Sequence, residues 1–336
     1  MLSKVEAITP PLANKGTVMK WQANWRDYVV YLFFAVILVI FGFTIGDKGF
    51  LTVANLFNIT RTTSMIAIMA IAMTLVIAAG ELDLSIGSAA ALSALVAALV
   101  IKSGYGIVAG ALAGLISGLA VGALNGFFVT VLNIPSFLVT LGSMQLIRGL
   151  DMRLTYTKPV AIADETFNTI FGGGNIGPVP SLFIWSLVAA AAGHLVLRYS
   201  AFGRQVLATG GNPVAARYSG VPTHRIKLYC FLLSGVAGAL AGLLYSGMMQ
   251  TARYTFGTGG ELAAIAAVIL GGTSLFGGKA TIIGTFIGAL LIGTINNGLI
   301  IMGLDVSEQN MISGGLIILA VAFGRRPSRR SAMNDC

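Results

Sequence analysis

The sequence predicts an all-α polytopic membrane protein, and three observations predict it. Hydrophobic residues make up 56% of the chain and charged residues 10%, whereas soluble domains carry a charged share of about 25%. The apolar residues gather into ten runs separated by short polar segments. The 21 Lys and Arg residues, Arg148 excepted, fall between those runs and at the two ends. The net charge of +9 distributed in this way suits anionic lipid and the orientation bias of membrane proteins, so a nucleic-acid partner is not expected. The 43 glycines fit the same class, because small residues let membrane helices approach closely.

The runs lie at about 28–45, 64–79, 86–101, 106–132, 136–150, 181–197, 228–250, 261–276, 281–303 and 311–323. Each is read as a span, giving about ten transmembrane helices in the lipid bilayer. A hydrocarbon core of about 30 Å takes about 20 helical residues. The runs 136–150, 261–276 and 311–323 are short for that, and fit tilted, broken or partly re-entrant helices. The chain thus divides into an N-terminal tail (1–27), a transmembrane domain (28–323) and a basic C-terminal tail (324–336). Lys4, Lys15, Lys20 and Arg26 stand too far from a short apolar stretch and small-residue cleavage site to form an export signal, so the first span is read as an uncleaved anchor. Cys230 in an apolar run and Cys336 at the terminus make neither a disulfide framework nor a metal site.

Charge sets the expected orientation. With both termini in the cytoplasm, the N-terminal tail, residues 198–227, Lys279 and the C-terminal tail place 14 Lys and Arg inside. Seven lie outside: Lys48, Arg61, Lys102, Arg148, Arg153, Lys158 and Arg253. Two to one is the bias expected for cytoplasmic loops, and two basic tails on one side require an even number of spans. Residues 151–180 are then the longest outer loop. A faint internal repeat accompanies this order. Gly80-Glu81 closes one span and Gly260-Glu261 opens another, and Asn125-Gly126 ends the fourth span as Asn297-Gly298 ends the ninth. Correspondence of spans 2–5 with spans 7–10, offset by an odd number, is an inverted repeat, an architecture of transporters.

Residues 198–227 form a basic, polar island with Arg198, Arg204, Arg217, His224, Arg225 and Lys227 and no acid. Asn212-Pro213 is a good helix start, because Asn caps open N–H groups and Pro at the first position sacrifices no bond. Gly220 follows as a left-handed stop with Pro222 beyond it. The result is a helix of about two turns, roughly 10 Å long, with a small face at Ala215-Ala216; Gly203, Gly210 and Gly211 read as bends before it. Such a helix, standing out of an apolar body, is a handle offered to a soluble partner. A phosphate loop is absent: in Gly272-Thr273-Ser274-Leu275-Phe276-Gly277-Gly278-Lys279 the first glycine is one place off, and Ala280 stands where Ser or Thr must bind magnesium. With no nucleophile–base pair and no metal cluster, the chain reads as a transport component without catalysis of its own.

The segments ELDLSIG (81–87), NG with IPSFLVTLG (125–126 and 134–142), GRQVLATGGNPVAARYSGV (203–221) and ELAAIAAVILGGTSLFGGKATIIGTFIGALLIGTINNGL (261–299) resemble permease subunits of ribose-type ABC importers. That family also carries other monosaccharides, polyols and autoinducer-2. The resemblance runs from about residue 50 to 323 and departs from the usual Gly-Gly-Ile-Asp-Leu-Ser by an extra acid, Glu81. It implies a multi-pass protein of the bacterial inner membrane and import of a sugar or sugar-like solute. The implied partners are an ABC ATPase subunit, a second permease copy or paralogue, and a periplasmic solute-binding protein. No cofactor is implied in this chain, and ATP with Mg belongs to the ATPase. By the same resemblance residues 203–220 dock in that subunit, which makes Gly203, Arg204, Gly211, Asn212, Pro213, Ala215, Ala216, Arg217 and Gly220 candidates for coupling.

Polar groups inside spans are the candidates for the translocation path, since a charge at the bilayer centre costs about 2.5–3.5 kcal/mol and so faces a partner or water. They are Glu81, Asp83, Ser85, Asn125, Glu261, Asn296 and Asn297. Asp83 and Ser85 are expected to open a half-helix facing the path, where sugar hydroxyls need acceptors. For the three asparagines, hydrogen bonding between helices is the competing role. An ion-coupled secondary transporter of a small polar solute is the alternative, since inverted repeats and membrane carboxylates suit it equally. Residues 203–220 separate the two, because an ion-driven carrier needs no docking helix. A membrane enzyme would require a His/Asp/Glu cluster at one depth, and the sequence shows none.

Overall fold

The computed structural model describes residues 29–305, 307–309, 311–315 and 318. Both tails, with Lys4, Lys15, Lys20, Arg26 and Arg325 onward, lie outside the described residues, as does most of the 311–323 run. The remaining nine apolar runs are all helical over most or all of their length. In order they are α1 (Val29–Ile45), α2 (Val53–Ala78), α3 (Ile86–Lys102), α4 (Gly106–Thr130), α5 (Ser136–Thr155), α7 (Ser181–Tyr199), α10 (Thr223–Met249), α11 (Gly260–Leu270) and α12 (Ile282–Met302). Between α5 and α7 lie a short helix α6 (Glu165–Asn168), a π-turn and three two-residue strands, β1 (Val160–Ala161), β2 (Asn175–Ile176) and β3 (Val179–Pro180). Between α7 and α10 lie α8 (Ala201–Gly211) and α9 (Pro213–Tyr218), and β4 (Thr251–Ala252) follows α10. Among the described residues α2, α4, α7, α10 and α12 are long and apolar enough to cross a membrane; α1, α3 and α11 are apolar but shorter.

The helix ends gather at two opposite faces. On one, the Leu82 N–H donates to Ser136 Oγ at 3.1 Å, Lys227 pairs with Glu81, and Gly278 N–H donates to the Ala78 carbonyl at 3.1 Å. These contacts join the end of α2 to the starts of α5, α10 and α12. On the other face β1 pairs antiparallel with β4, tying the chain after α5 to the chain after α10, while Arg61 Nη2 donates to Asn175 Oδ1 at 3.1 Å and ties the start of α2 to the β2–β3 hairpin. Successive apolar helices, the short ones α3, α5 and α11 included, therefore run in alternate directions.

At the centre stands α2, buried on every side over residues 67–79, as expected of a helix that is apolar all round. It packs on α10, α11 and α12, whereas α10 packs on α2, α3 and α4. The α4–α10 contact depends on glycine. A Cβ on Gly118 would lie 2.4 Å from the Gly235 carbonyl oxygen, and one on Gly235 would lie 2.1 Å from that of Gly118. The backbones touch, so any larger residue at either position would force them apart.

One expectation needs correction. Gly203, Gly210 and Gly211 are not bends: they belong to the continuous helix α8. Glycine is a poor helix former, but here it is required for close approach, since a Cβ on Gly210 would lie 1.8 Å from the Ala78 carbonyl oxygen. The short 261–276 run, expected to be tilted, broken or partly re-entrant, is broken. α11 stops at Leu270, and Gly271 abuts Gly284 of α12 so tightly that a Cβ there would lie 2.4 Å from backbone. Eleven helical residues rise about 16 Å, half a bilayer core.

Candidate functional site

The basic island folds as two helices in series. Ser200 caps α8, its Oγ accepting from Gly203 N–H at 3.0 Å. Asn212 caps α9, its Oδ1 accepting from Val214 N–H at 3.1 Å and Ala215 N–H at 3.0 Å. The stop is also as expected. Gly220 takes φ +84°, and the Val221 N–H reaches back to the Ala216 carbonyl at 3.0 Å. Arg217 Nη2 lies 3.3 Å from His224 Nε2, whose Nδ1 in turn lies 2.9 Å from the Thr130 carbonyl, so α9 is tied to α10 and to the end of α4. Ala216 is buried and faces the body of the protein. The outward face is Val214, Ala215, Arg217 and Tyr218, with Tyr218 90% exposed. The small face anticipated at Ala215-Ala216 is therefore split between seat and surface.

Directly beneath lies the break between α2 and α3. Asp83 accepts from Ser85 N–H at 2.9 Å, Ser85 Oγ at 2.6 Å and Ser234 Oγ at 2.6 Å. Asn125 Nδ2 donates to Ser85 Oγ at 2.7 Å, and Ser143 Oγ donates to Asn125 Oδ1. Thr140 Oγ1 donates to the Leu82 carbonyl at 3.3 Å and, with Ser136, satisfies backbone that the break leaves open. Irregular backbone at membrane depth persists only where protein or water supplies such partners. Asp83, Ser85 and Asn125 are brought together, as a buried brace joining α3, α4, α5 and α10. The expectation that Asp83 and Ser85 face the path does not describe this conformation, because Asp83 is 1% exposed and its oxygens are occupied. Glu81 stands apart, paired with Lys227.

A cavity of about 770 Å³ runs along α11 from Gly260 to Leu270, walled by α2, the end of α10, residues 251–260, α12 and residues 313–314. Tyr245, Arg253, Thr255, Thr258, Asn296 and Ser313 give it polar groups, while Met65, Leu262 and Ile292 contribute apolar wall. Of the sequence candidates only Asn296 lines it, with Ser313 Oγ donating to its Oδ1 at 3.3 Å. Asn297 instead exchanges two amide bonds with Asn55, at 2.9 and 3.0 Å, and joins α12 to α2. Glu261 accepts from Gly259 N–H at 3.3 Å through Oε1, while Oε2 is buried without a partner among the described residues.

Sequence reasoning missed a charge cluster on the face of the 251–260 segment. Arg148 Nη1 donates to the carbonyls of Tyr254 at 2.8 Å and Phe256 at 3.3 Å and to Thr258 Oγ1 at 2.7 Å. One turn along α5, Asp151 is fully buried, with neither carboxylate oxygen hydrogen-bonded among the described residues. The spacing Arg148-Asp151 was a usable signal, since residues three apart share a helix face.

A family model described as branched-chain amino acid transport system / permease component matches residues 55–321. The chain is 40% identical over 280 residues to the ribose import permease protein RbsC of Escherichia coli (strain K12), covering 82% of this chain and 87% of that protein. It is 36% identical over 329 residues to the L-arabinose ABC transporter permease protein AraH of Azospirillum brasilense, covering 97% and 95%. It is also 36% identical over 319 residues to the D-allose transport system permease protein AlsC of Escherichia coli (strain K12), covering 94% and 97%. No solved structure matches the chain. Apolar helices in alternating array, a capped helix standing on one face, and these likenesses together place the chain in the branched-chain amino acid transport system / permease component family, among the permeases of sugar ABC transporters.

Proposed function

We propose that the chain is the membrane-spanning subunit of an ATP-driven importer, passing a sugar or sugar-like solute from a periplasmic binding protein to the cytoplasm. One observation carries this reading: α9 is capped, stopped and seated through buried Ala216, yet turns Val214, Arg217 and Tyr218 outward. A rigid helix with an uncovered aromatic suits a protein partner, and the ATPase is the one a permease of this family needs. The α8–α9 face is then cytoplasmic. It carries Arg198, Arg204, Arg217, Arg225, Lys227 and Lys279, consistent with the positive-inside bias and with ten spans and cytoplasmic termini. The exchange of partners, α2 on α11 and α12 and α10 on α3 and α4, supports an inverted repeat of spans 2–5 and 7–10.

The cavity along α11 is the solute path in this reading. Its hydroxyls and the Asn296 amide suit a polyhydroxylated solute, and ribose, arabinose and allose stand in the relatives' names. Asp83, Ser85 and Asn125 brace the helices around the α2–α3 break, and Glu81 pairs with Lys227, rather than meeting the solute. A second permease copy or paralogue completes the membrane unit, and the binding protein docks at the opposite face. Tyr218→Glu is expected to abolish association with the ATPase and solute-stimulated ATP hydrolysis while insertion stays normal; unchanged association would overturn the coupling role. An ion-coupled carrier is favoured by one observation, the buried oxygens of Asp151 and the Oε2 of Glu261 that have no hydrogen-bond partner among the described residues. Uptake that follows an imposed proton gradient in ATP-depleted vesicles would establish that alternative.

A further inference from the structure

A second exposed aromatic lies beside α9. Phe276, 75% exposed, is the tip of the segment joining α11 to α12, on the same face as α9. The turn that carries it is fixed. Ser274 N–H donates to the Lys279 carbonyl at 2.9 Å and Gly277 N–H to the Ser274 carbonyl at 3.0 Å, with Gly277 and Gly278 at φ +80° and +77°. The turn is also seated on α8. A Cβ on Gly277 would lie 2.8 Å from the Gly210 carbonyl oxygen, and one on Gly278 would lie 2.7 Å from Gly211 Cα. Gly211 immediately precedes the Asn212 cap, so the Phe276 turn and α9 form one continuous surface. Exposed Lys279 on the same turn sets its level at the aqueous boundary, because a lysine is costly within hydrocarbon.

We propose that Phe276 is a second anchor for the ATP-binding subunit, inserted in an apolar pocket of that partner beside the site that receives α9. This rests on the docking role given to α9 above. Buried aromatic side chains surrounded by other contacts are the usual energetic centres of an interface, and a rigid turn holds such a side chain ready at little entropic cost. The position also has a mechanical consequence. α9 is joined to the cavity through α10, which lines it only at its far end, whereas the 271–281 segment is covalently continuous with two lining helices, α11 and α12. Movement of the partner's pocket would act on the α11–α12 pair directly.

The test is the affinity of purified permease for the ATP-binding subunit encoded with it, measured in detergent, where no bilayer competes. Phe276→Ala is expected to weaken binding about tenfold, with Tyr218→Ala weakening it similarly. Phe276→Cys is expected to cross-link to a cysteine placed on the ATPase surface facing the membrane, more strongly in one nucleotide state than in another. Phe276→Ala that binds like the wild type while Tyr218→Ala does not would overturn the second anchor and leave the docking role of α9 standing. Loss of neither would overturn both. Unchanged binding in detergent, with a fluorophore at position 276 quenched by brominated lipid in vesicles, would overturn the proposal in favour of a lipid contact.

Discussion

Asp83 holds the break between α2 and α3 through three accepted bonds, and the donors it serves, Ser85 and Ser234, are fully buried. Leaving buried donors unsatisfied costs about 1–3 kcal/mol each. Asp83→Asn keeps one acceptor oxygen and the shape, so it is expected to insert but melt several degrees lower in a detergent thermal-shift assay. Asp83→Leu removes every acceptor and is expected to fail to accumulate. A pathway acceptor would behave otherwise, losing transport with little change in melting. A second residue-scale prediction concerns Asp305, whose carboxyl is held below its ordinary range by the Ser307 hydroxyl and the Glu308 N–H. Because the folded value is depressed, the stabilisation is present above the unfolded value and is lost as pH falls through the folded one. Protection of the Glu308 amide from hydrogen exchange is expected to hold near neutrality and fall only in strong acid.

At the scale of elements, the α8 seat and the 251–260 segment are the two places where one substitution moves a whole piece. Gly210→Ala adds a Cβ that would sit 1.8 Å from the Ala78 carbonyl oxygen, whereas Gly211→Ala meets Gly278 Cα only at 3.6 Å. Overpacking of this kind costs about 1–3 kcal/mol, so Gly210→Ala is expected to displace α8 and abolish uptake while Gly211→Ala retains most of it. Arg148→Met removes the donor that holds Tyr254, Phe256 and Thr258. Cysteine accessibility at Thr255 is expected to rise severalfold, with Arg148→Lys intermediate because one ammonium cannot copy the planar fork. The sequence made some of this legible. Asn212, Pro213 and Gly220 announce α9 because caps and stops are local. α8 was not legible, because Gly203, Gly210 and Gly211 argue against a helix by propensity; Gly203 is explained by the close turn onto Val196 and Leu197 of α7, and Gly210 and Gly211 by the distant backbone of Ala78 and Gly278. Nor were Ser136, Thr140, Ser143 and Ser234, since a lone hydroxyl in an apolar run gives no sign of its partner. α2 begins at Val53, well before the 64–79 run, because Asn55 and Arg61 find partners in Asn297 and Asn175 that only tertiary packing supplies.

Across the whole molecule, the two faces do different work if the proposed function holds, and the energy source decides it. Cysteines at Tyr218 and Asp164 lie on opposite faces, since one belongs to α9 and the other caps α6 beside the β1–β4 pair. In intact cells a membrane-impermeant thiol reagent with access to the periplasm is expected to label position 164 and spare position 218; the reverse pattern would invert the topology and remove α9 from any cytoplasmic ATPase. Energy coupling then tests the route between the faces. The glycine-tight junction of α2, α8 and residues 277–278 lies between the docking surface and the cavity, so ATP hydrolysis on one face has a stiff path to α11 and α12. Uptake is therefore expected to stop when ATP is depleted with the proton gradient maintained, and to survive an uncoupler while ATP is held. Gly210→Ala sharpens the result. If the junction transmits the stroke, this variant should still bind the ATPase through α9 and retain basal hydrolysis, yet lose the stimulation that the solute-loaded binding protein produces.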